Sequence, residues 1–115
     1  MSSNKLGKIV VLFSSPGGST DFLRGLRYVS AWVDSREGRE TAVFFLQDAT
    51  LAAKSGAGHL PPEFSPARGI RLYALEEDLS LRGIGSEEVR QDVSVVSYEQ
   101  LMDEIEAADR VIGCL

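Results

Sequence analysis

The stretch Lys8-Ile9-Val10-Val11-Leu12-Phe13, followed by the turn Ser14-Ser15-Pro16-Gly17-Gly18, decides the fold class of this 115-residue chain. The five residues after Lys8 are all apolar and several are β-branched, with no polar residue alternating between them. A short, continuous apolar run of this kind is typical of a strand buried on both faces of a parallel sheet. The glycine- and proline-containing turn predicts where that strand ends.

Four later segments are predicted to be strands of the same sheet. They are Thr41–Leu46, Ile70–Leu75, Val93–Val96 and Arg110–Leu115. Helical patterns lie between them, at Ser19–Glu37, Glu76–Leu81 and Tyr98–Ala107, with one or two further helical turns at Ala49–Ala53. This alternation predicts one α/β domain over residues 1–115, with a doubly wound, mostly parallel sheet of about five strands and helices on both faces. Functional groups are then expected beyond the carboxyl ends of the strands.

Local signals support two of the helix starts and mark one irregular segment. Ser19 or Thr20 can cap the first helix, and Ser97 with Gln100 forms a capping-box pattern at the last one. The segment Ser55–Arg68 holds two glycines and three prolines. It is longer than most connections, so we expect either a functional or a mobile loop.

Composition excludes several classes of function. The net charge is −5 and the basic residues are scattered singly, which argues against direct nucleic-acid binding. Cys114 is the only cysteine and His59 the only histidine, so neither a disulfide framework nor a zinc site is expected. The apolar run Ile9–Phe13 is too short to span a bilayer, and no secretion signal is recognisable, so we expect a cytoplasmic protein without membrane contact.

Two groups of segments resemble known sulfur-relay proteins. The Gly18-Ser19 turn, Gly25–Val29 and Val43–Asp48 resemble DsrE and TusD chains. The segments Leu72–Ile84 and Val95–Leu101 resemble TusB and DsrH chains, and Tyr73–Gly83 is the most specific of these matches. The chain is therefore similar to the DsrE/DsrF/DsrH superfamily, with TusB and DsrH as the nearest subunits.

The resemblance implies a place in a cytoplasmic sulfur-relay complex. Such complexes are hetero-oligomers that carry sulfur as a cysteine persulfide, either toward 2-thiouridine of tRNA or in sulfur oxidation. The implied partners are TusC/DsrF-like and TusD/DsrE-like subunits and small sulfur-carrier proteins, although a homo-oligomer is also open. The resemblance implies no cofactor and no metal.

One position departs from the catalytic members of that superfamily. Their active cysteine lies eight residues before the glycine of an Arg-Gly turn, and counting back from Gly83 leads to Leu75. Leucine cannot carry a persulfide, and TusB chains also lack this cysteine. We therefore expect a non-catalytic subunit, not an enzyme by itself. The residues expected to form its partner surface are Gln47, Asp48, Tyr73, Glu76, Glu77 and Arg82.

Two alternative functions remain open at this level. Cys114 could carry a persulfide on a C-terminal arm, or it could pack as a small hydrophobic residue. The Ser14–Thr20 turn could bind the phosphate of FMN or a nucleotide, as in flavodoxin-like proteins, or it could be a plain strand-to-helix turn.

The acidic cluster after the third strand and the single histidine also have two interpretations each. The cluster Glu76-Glu77-Asp78 could serve acid–base chemistry, or it could favour the start of the following helix. His59 could be solvated or could lie in a loop that closes over a partner's site. Trp32 and Phe22 lie in the first helix, and Trp32 is expected in the core or in a subunit interface.

Overall fold

Five parallel strands form a single sheet in the computed structural model, which describes residues 7–35, 40–62 and 64–113. The strands are β1 (Lys8–Phe13), β2 (Glu40–Phe45), β3 (Ile70–Leu75), β4 (Val93–Val96) and β5 (Arg110–Ile112). Their order across the sheet is β4-β3-β2-β1-β5, and every neighbouring pair is parallel. The predicted α/β class and five-stranded parallel sheet are confirmed.

Three α-helices and three 3₁₀ segments connect the strands. The helices are α1 (Thr20–Ser35), α2 (Glu76–Leu81) and α3 (Tyr98–Ala107). The 3₁₀ segments are Gln47–Ala53, Pro66–Arg68 and Ser86–Glu88. The last two of these were not expected from the sequence. The predicted bounds of β1, β3, β4, α2 and α3 are confirmed, whereas β2 begins and ends one residue earlier than predicted.

The ends of two predicted elements fall partly outside the described residues. Helix α1 begins at Thr20, because Ser19 is the capping residue: its Oγ accepts a hydrogen bond from the Phe22 N–H at 3.2 Å. Strand β5 ends at Ile112, because the described residue Gly113 lies outside it, so the strand stops short of the predicted Arg110–Leu115. Cys114, a candidate persulfide carrier, lies outside the described residues, and so does the end of the predicted first helix.

The strand order determines which face of the sheet each helix covers. Each step from β1 to β4 moves to the next strand in one direction, and the step from β4 to β5 returns across the sheet. Since crossovers between parallel strands are right-handed, α1 and α2 must lie on one face and α3 on the other. Two separate hydrophobic clusters confirm this arrangement.

The first face, defined by the cluster around α1, has an aromatic centre. The rings of Phe13, Phe22 and Phe45 are fully buried and lie 5.1, 5.8 and 6.4 Å apart between centroids. Phe64, from the irregular Ser55–Arg68 segment, is also fully buried there, with Leu60 partly buried beside it. The long segment is therefore anchored to the core.

The second face, defined by the cluster under α3, is covered by that helix alone among the elements that the structure describes. Leu101 of α3 packs with Leu75 and Val96 of the sheet. The capping box is confirmed, because the Gln100 N–H donates to Ser97 Oγ at 3.2 Å and the Ser97 N–H donates to Gln100 Oε1 at 2.9 Å. This reciprocal bonding fixes the start of the helix that covers the face.

Candidate functional site at the carboxyl edge of the sheet

The carboxyl ends of the parallel strands meet along one edge of the sheet, which we call the carboxyl edge. The turn after β1, Gln47 and Asp48 after β2, the first turn of α2 after β3, and Ser97 after β4 all lie along it. The Leu46 N–H donates to the Phe13 carbonyl at 2.8 Å, so the pairing of β1 and β2 continues to the edge. Ligands of such sheets bind at this position, outside the carboxyl ends.

A polar network joins the end of β2 to α2. Arg82 Nε and Nη2 donate to Asp48 Oδ1 at 3.1 and 2.9 Å, and Arg82 Nη1 donates to the Asp78 carbonyl at 3.1 Å. The Gln47 N–H donates to Asp78 Oδ2 at 2.7 Å. The structure therefore brings Gln47, Asp48 and Arg82 together at the carboxyl edge.

Gln47 has an unusual backbone conformation within this network. Its φ is +50°, the only positive value among the described residues other than glycine. Left-handed conformations are rare outside glycine and need support from the surrounding structure. Here the support comes from Asp78, which accepts from the Gln47 N–H, and from Thr50, whose hydroxyl donates to the Gln47 carbonyl at 2.7 Å.

The acidic run Glu76-Glu77-Asp78 forms the first turn of α2. Carboxylates there are favoured by the partial positive charge of a helix N-terminus. Glu76 and Glu77 are exposed, and neither takes part in an ion pair among the described residues. The arrangement supports their role as surface residues and provides no acid–base pair.

Tyr73 lies apart from the other five predicted surface residues. Its side chain is on the second face, where its ring stacks on Phe44 with centroids 4.7 Å apart and an interplanar angle of 17°. The Arg71 guanidinium lies 6.0 Å from the centre of the Tyr73 ring. Tyr73 occupies the third-last position of its strand, and the alternation of side chains along a strand accounts for its direction.

Leu75 occupies the position of the missing cysteine, and it is part of a packed core. Its side chain is 6% exposed and belongs to the second-face cluster with Val96 and Leu101. The position is therefore buried as well as chemically inert.

His59 lies against the turn that follows β1. A Cβ atom added at Gly17 would lie 2.6 Å from both Cγ and Cδ2 of the His59 ring, and one at Gly18 would lie 3.6 Å from Nδ1. The ring is exposed on its outer side. The irregular segment thus reaches the carboxyl edge, and the sequence gives no signal for this contact because the two glycines are more than forty residues away.

The turn itself has the geometry of a plain strand-to-helix connection. Ser19 caps α1, and the Ser19 N–H donates to the Pro16 carbonyl at 3.1 Å. The imidazole of His59 covers its glycines, so no specific observation favours a phosphate of FMN at this turn.

The described residues include no group of three or more His, Cys, Asp or Glu side chains that could hold a metal ion. None of the helices in residues 7–35, 40–62 and 64–113 combines the length and apolar character needed to cross a membrane. An open groove of about 570 Å³ lies between Lys54–Gly58 and Arg90–Asp92, the residues just before β4.

These features define a small α/β protein with one parallel sheet and a polar network at its carboxyl edge. The last residue of β3 is a leucine and not a cysteine. A family model described as "DsrH like protein" matches residues 22–111. Because the match spans most of the chain, the protein belongs to the DsrH-like family. The resemblance noted in Tyr73–Gly83 and Val95–Leu101 is confirmed at this level.

Solved structures with the same fold extend over nearly the whole chain. The crystal structure of the ychN protein from E. coli matches with a TM-score of 0.79 and 19% identity, covering 96% of this chain and 100% of that one. The MTH1491 protein from Methanobacterium thermoautotrophicum, titled as of unknown function, matches with a TM-score of 0.74 and 15% identity, covering 94% and 99%. No curated protein sequence matches significantly. At these identities the two structures establish the fold alone.

Proposed function

We propose that this chain is a non-catalytic subunit of a cytoplasmic sulfur-relay complex, which passes persulfide sulfur toward tRNA 2-thiouridine or in sulfur oxidation. The proposal rests on membership of the DsrH-like family and on one observation above the others. At the end of β3, where catalytic relay subunits hold their cysteine, this chain has the buried residue Leu75.

Persulfide chemistry explains why Leu75 matters. Transfer requires a thiolate to attack a sulfur atom, so both the thiolate and the sulfur under attack must be accessible. Leu75 supplies no sulfur, and its side chain is buried in the second-face cluster with Val96 and Leu101. We propose that the reacting cysteine comes from another subunit.

The carboxyl edge is suited to a supporting role in such a complex. The Asp48–Arg82 pair and the Gln47–Asp78 hydrogen bond fix the end of β2 against α2, so this surface is preorganised before a partner arrives. Exposed Glu76 and Glu77 lie beside it. We propose that this surface borders the site where a TusD/DsrE-like subunit meets a small sulfur carrier, with a TusC/DsrF-like subunit completing the assembly.

Co-expression tests the assembly. The tagged chain is produced together with its DsrE-like and DsrF-like counterparts, and the affinity-purified material is analysed by size-exclusion chromatography with light scattering. We expect one hetero-oligomer that contains all three subunits. A chain that elutes alone after co-expression with both counterparts would contradict the proposal.

Mass spectrometry tests the non-catalytic assignment. The complex is incubated with a cysteine desulfurase and cysteine. We expect a persulfide on the DsrE-like subunit, seen as a mass increase of about 32 Da for the one added sulfur atom, and none on this chain. A persulfide on this chain that disappears in the Cys114→Ala variant would contradict the assignment and support the carrier alternative.

A further inference from the structure

The outer side of α3 carries an exposed apolar pair. Tyr98 and Met102 are 55% and 39% exposed, and they are four residues apart, so their side chains lie next to each other on one side of the helix. Val111 of β5 is 41% exposed and pairs in register with Val10, which lies in the second-face cluster. Paired residues of parallel strands point to the same face, so Val111 is exposed on the face that α3 covers.

Beside this pair, α3 presents an acidic strip formed by Glu99, Asp103 and Glu106. These residues recur at spacings of four and three, which places them along one side of a helix, and all three are exposed. No ion pair among the described residues includes any of them. The helix Tyr98–Ala107 has no Lys or Arg of its own.

The fourth acidic residue of α3, Glu104, differs from these three because it is paired. Glu104 faces the sheet and forms ion pairs with Lys8 and, at 3.9 Å, with Arg71. The basic residues of the second face are thus engaged on the inner side of α3. The outer side keeps an uncompensated negative charge next to apolar surface.

We infer that the outer side of α3 is a docking surface for a different protein subunit, one whose facing surface places Lys or Arg side chains around an apolar pocket. Charge complementarity selects this occupant, because facing charges of opposite sign attract and like charges repel. A second copy of this chain would bring one acidic strip against another and is therefore disfavoured. The inference rests on the proposed function, since the partner is a subunit of the relay complex.

The position of α3 relates this surface to the carboxyl edge. Ser97 caps the helix at that edge, and Tyr98 follows it directly. Leu101, in the first half of α3, belongs to the same buried cluster as Leu75. A subunit that docks on Tyr98 and Met102 would therefore stand beside the end of β3, where it can bring its own cysteine to the edge that Leu75 leaves without one.

Truncation of the apolar pair tests the docking surface. The double variant Tyr98→Ala/Met102→Ala is compared with Leu23→Ala/Tyr28→Ala, which removes side chains of similar size and exposure, 44% and 36%, from α1 on the first face. Binding to the co-purified DsrE-like and DsrF-like pair is measured by biolayer interferometry. We expect the α3 variant to raise the Kd by at least about tenfold and the α1 variant by less than about threefold.

Reversal of charge tests the kind of partner. Asp103→Lys/Glu106→Lys is compared with Asp21→Lys/Glu87→Lys, which changes the net charge equally at exposed acids elsewhere. We expect the first variant alone to weaken binding by about tenfold, and we expect the wild-type Kd to rise between about 50 and 500 mM NaCl as the charges are screened.

The outcomes separate the two proposals. If no complex forms with the relay subunits, the proposed function fails and the docking surface fails with it. If the complex forms and α3 variants bind as well as the α1 controls, only the docking surface is wrong. A dimer of the isolated chain that Tyr98→Ala/Met102→Ala dissociates would identify a second copy as the occupant and overturn the inference.

Discussion

The two faces of the sheet are built very differently. The first face is covered by α1, α2, the 3₁₀ segment Gln47–Ala53 and the anchored loop, and its centre is a group of fully buried phenylalanines. The second face has one ten-residue helix, α3, and a much smaller buried cluster. The difference indicates that stability is concentrated on the first face, whereas the second face is thinly covered and retains exposed apolar residues.

The largest expected effect is at the aromatic centre of the first face. Phe22→Ala removes a fully buried ring that contacts Phe13 and Phe45, and should lower the free energy of unfolding by about 3 to 5 kcal/mol. Chemical denaturation followed by circular dichroism measures it. Leu23→Ala, at the neighbouring but exposed position, is the control and should cost less than about 0.5 kcal/mol.

Truncation of a buried side chain on the second face should lower the free energy of unfolding by less. Leu101→Ala deletes the most buried side chain of α3, and we expect a loss of about 2 to 3 kcal/mol in the same denaturation experiment. Met102→Ala, one residue on and exposed, should change stability by less than about 0.5 kcal/mol. A loss at Leu101 equal to that at Phe22 would break the distinction between the two faces.

A third change tests how tightly the long loop closes on the carboxyl edge. Gly17 is outside the left-handed region, so Gly17→Ala is opposed only by the His59 ring, and should cost about 1 kcal/mol. The His59→Ala background removes the obstruction and should make the same change nearly neutral. An equal cost in both backgrounds would show that the ring does not rest on Gly17 in solution.

The smallest effect concerns the ion pair of the polar network. A double-mutant cycle of Asp48→Ala and Arg82→Ala should give a coupling energy of about 0.5 kcal/mol, because the Asp48 side chain is 58% exposed and screened by water. The more exposed pair Asp21–Arg24 on the first face should give a value near zero in the same cycle. Similar couplings for both pairs would show that the network adds no rigidity to the edge.

Local sequence signals predict the elements well and the site only in part. The apolar run of β1 and the Ser97–Gln100 box are encoded by adjacent residues, so their bounds follow from the sequence. The Asp48–Arg82 pair joins residues 34 positions apart and depends on how β2 and α2 are placed side by side. Sequence similarity placed both residues on the partner surface, but no local pattern gives their contact.

Burial of Leu75 is a second property that the local sequence does not predict. The sequence identifies the missing cysteine at this position. Whether the position is exposed depends on α3. Its residue Leu101 lies in the same buried cluster and is 26 positions further along the chain. Likewise, Tyr73 was predicted on the same partner surface as Arg82, and the alternation of side chains along β3 turns its ring toward Phe44 on the second face.

The strand order has a consequence for how the molecule opens. The Lys8 N–H donates to Asp109 Oδ2 at 2.8 Å, across 101 positions of the chain, and β5 then pairs with β1 through only three residues. Closing so long a loop lowers the conformational entropy of the chain, and three residue pairs offset only a small part of that loss. The β1–β5 seam should therefore be the first part of the sheet to separate in thermal fluctuations. In native-state hydrogen exchange, amides of β5 should lose protection well before those of β2, which is paired on both sides.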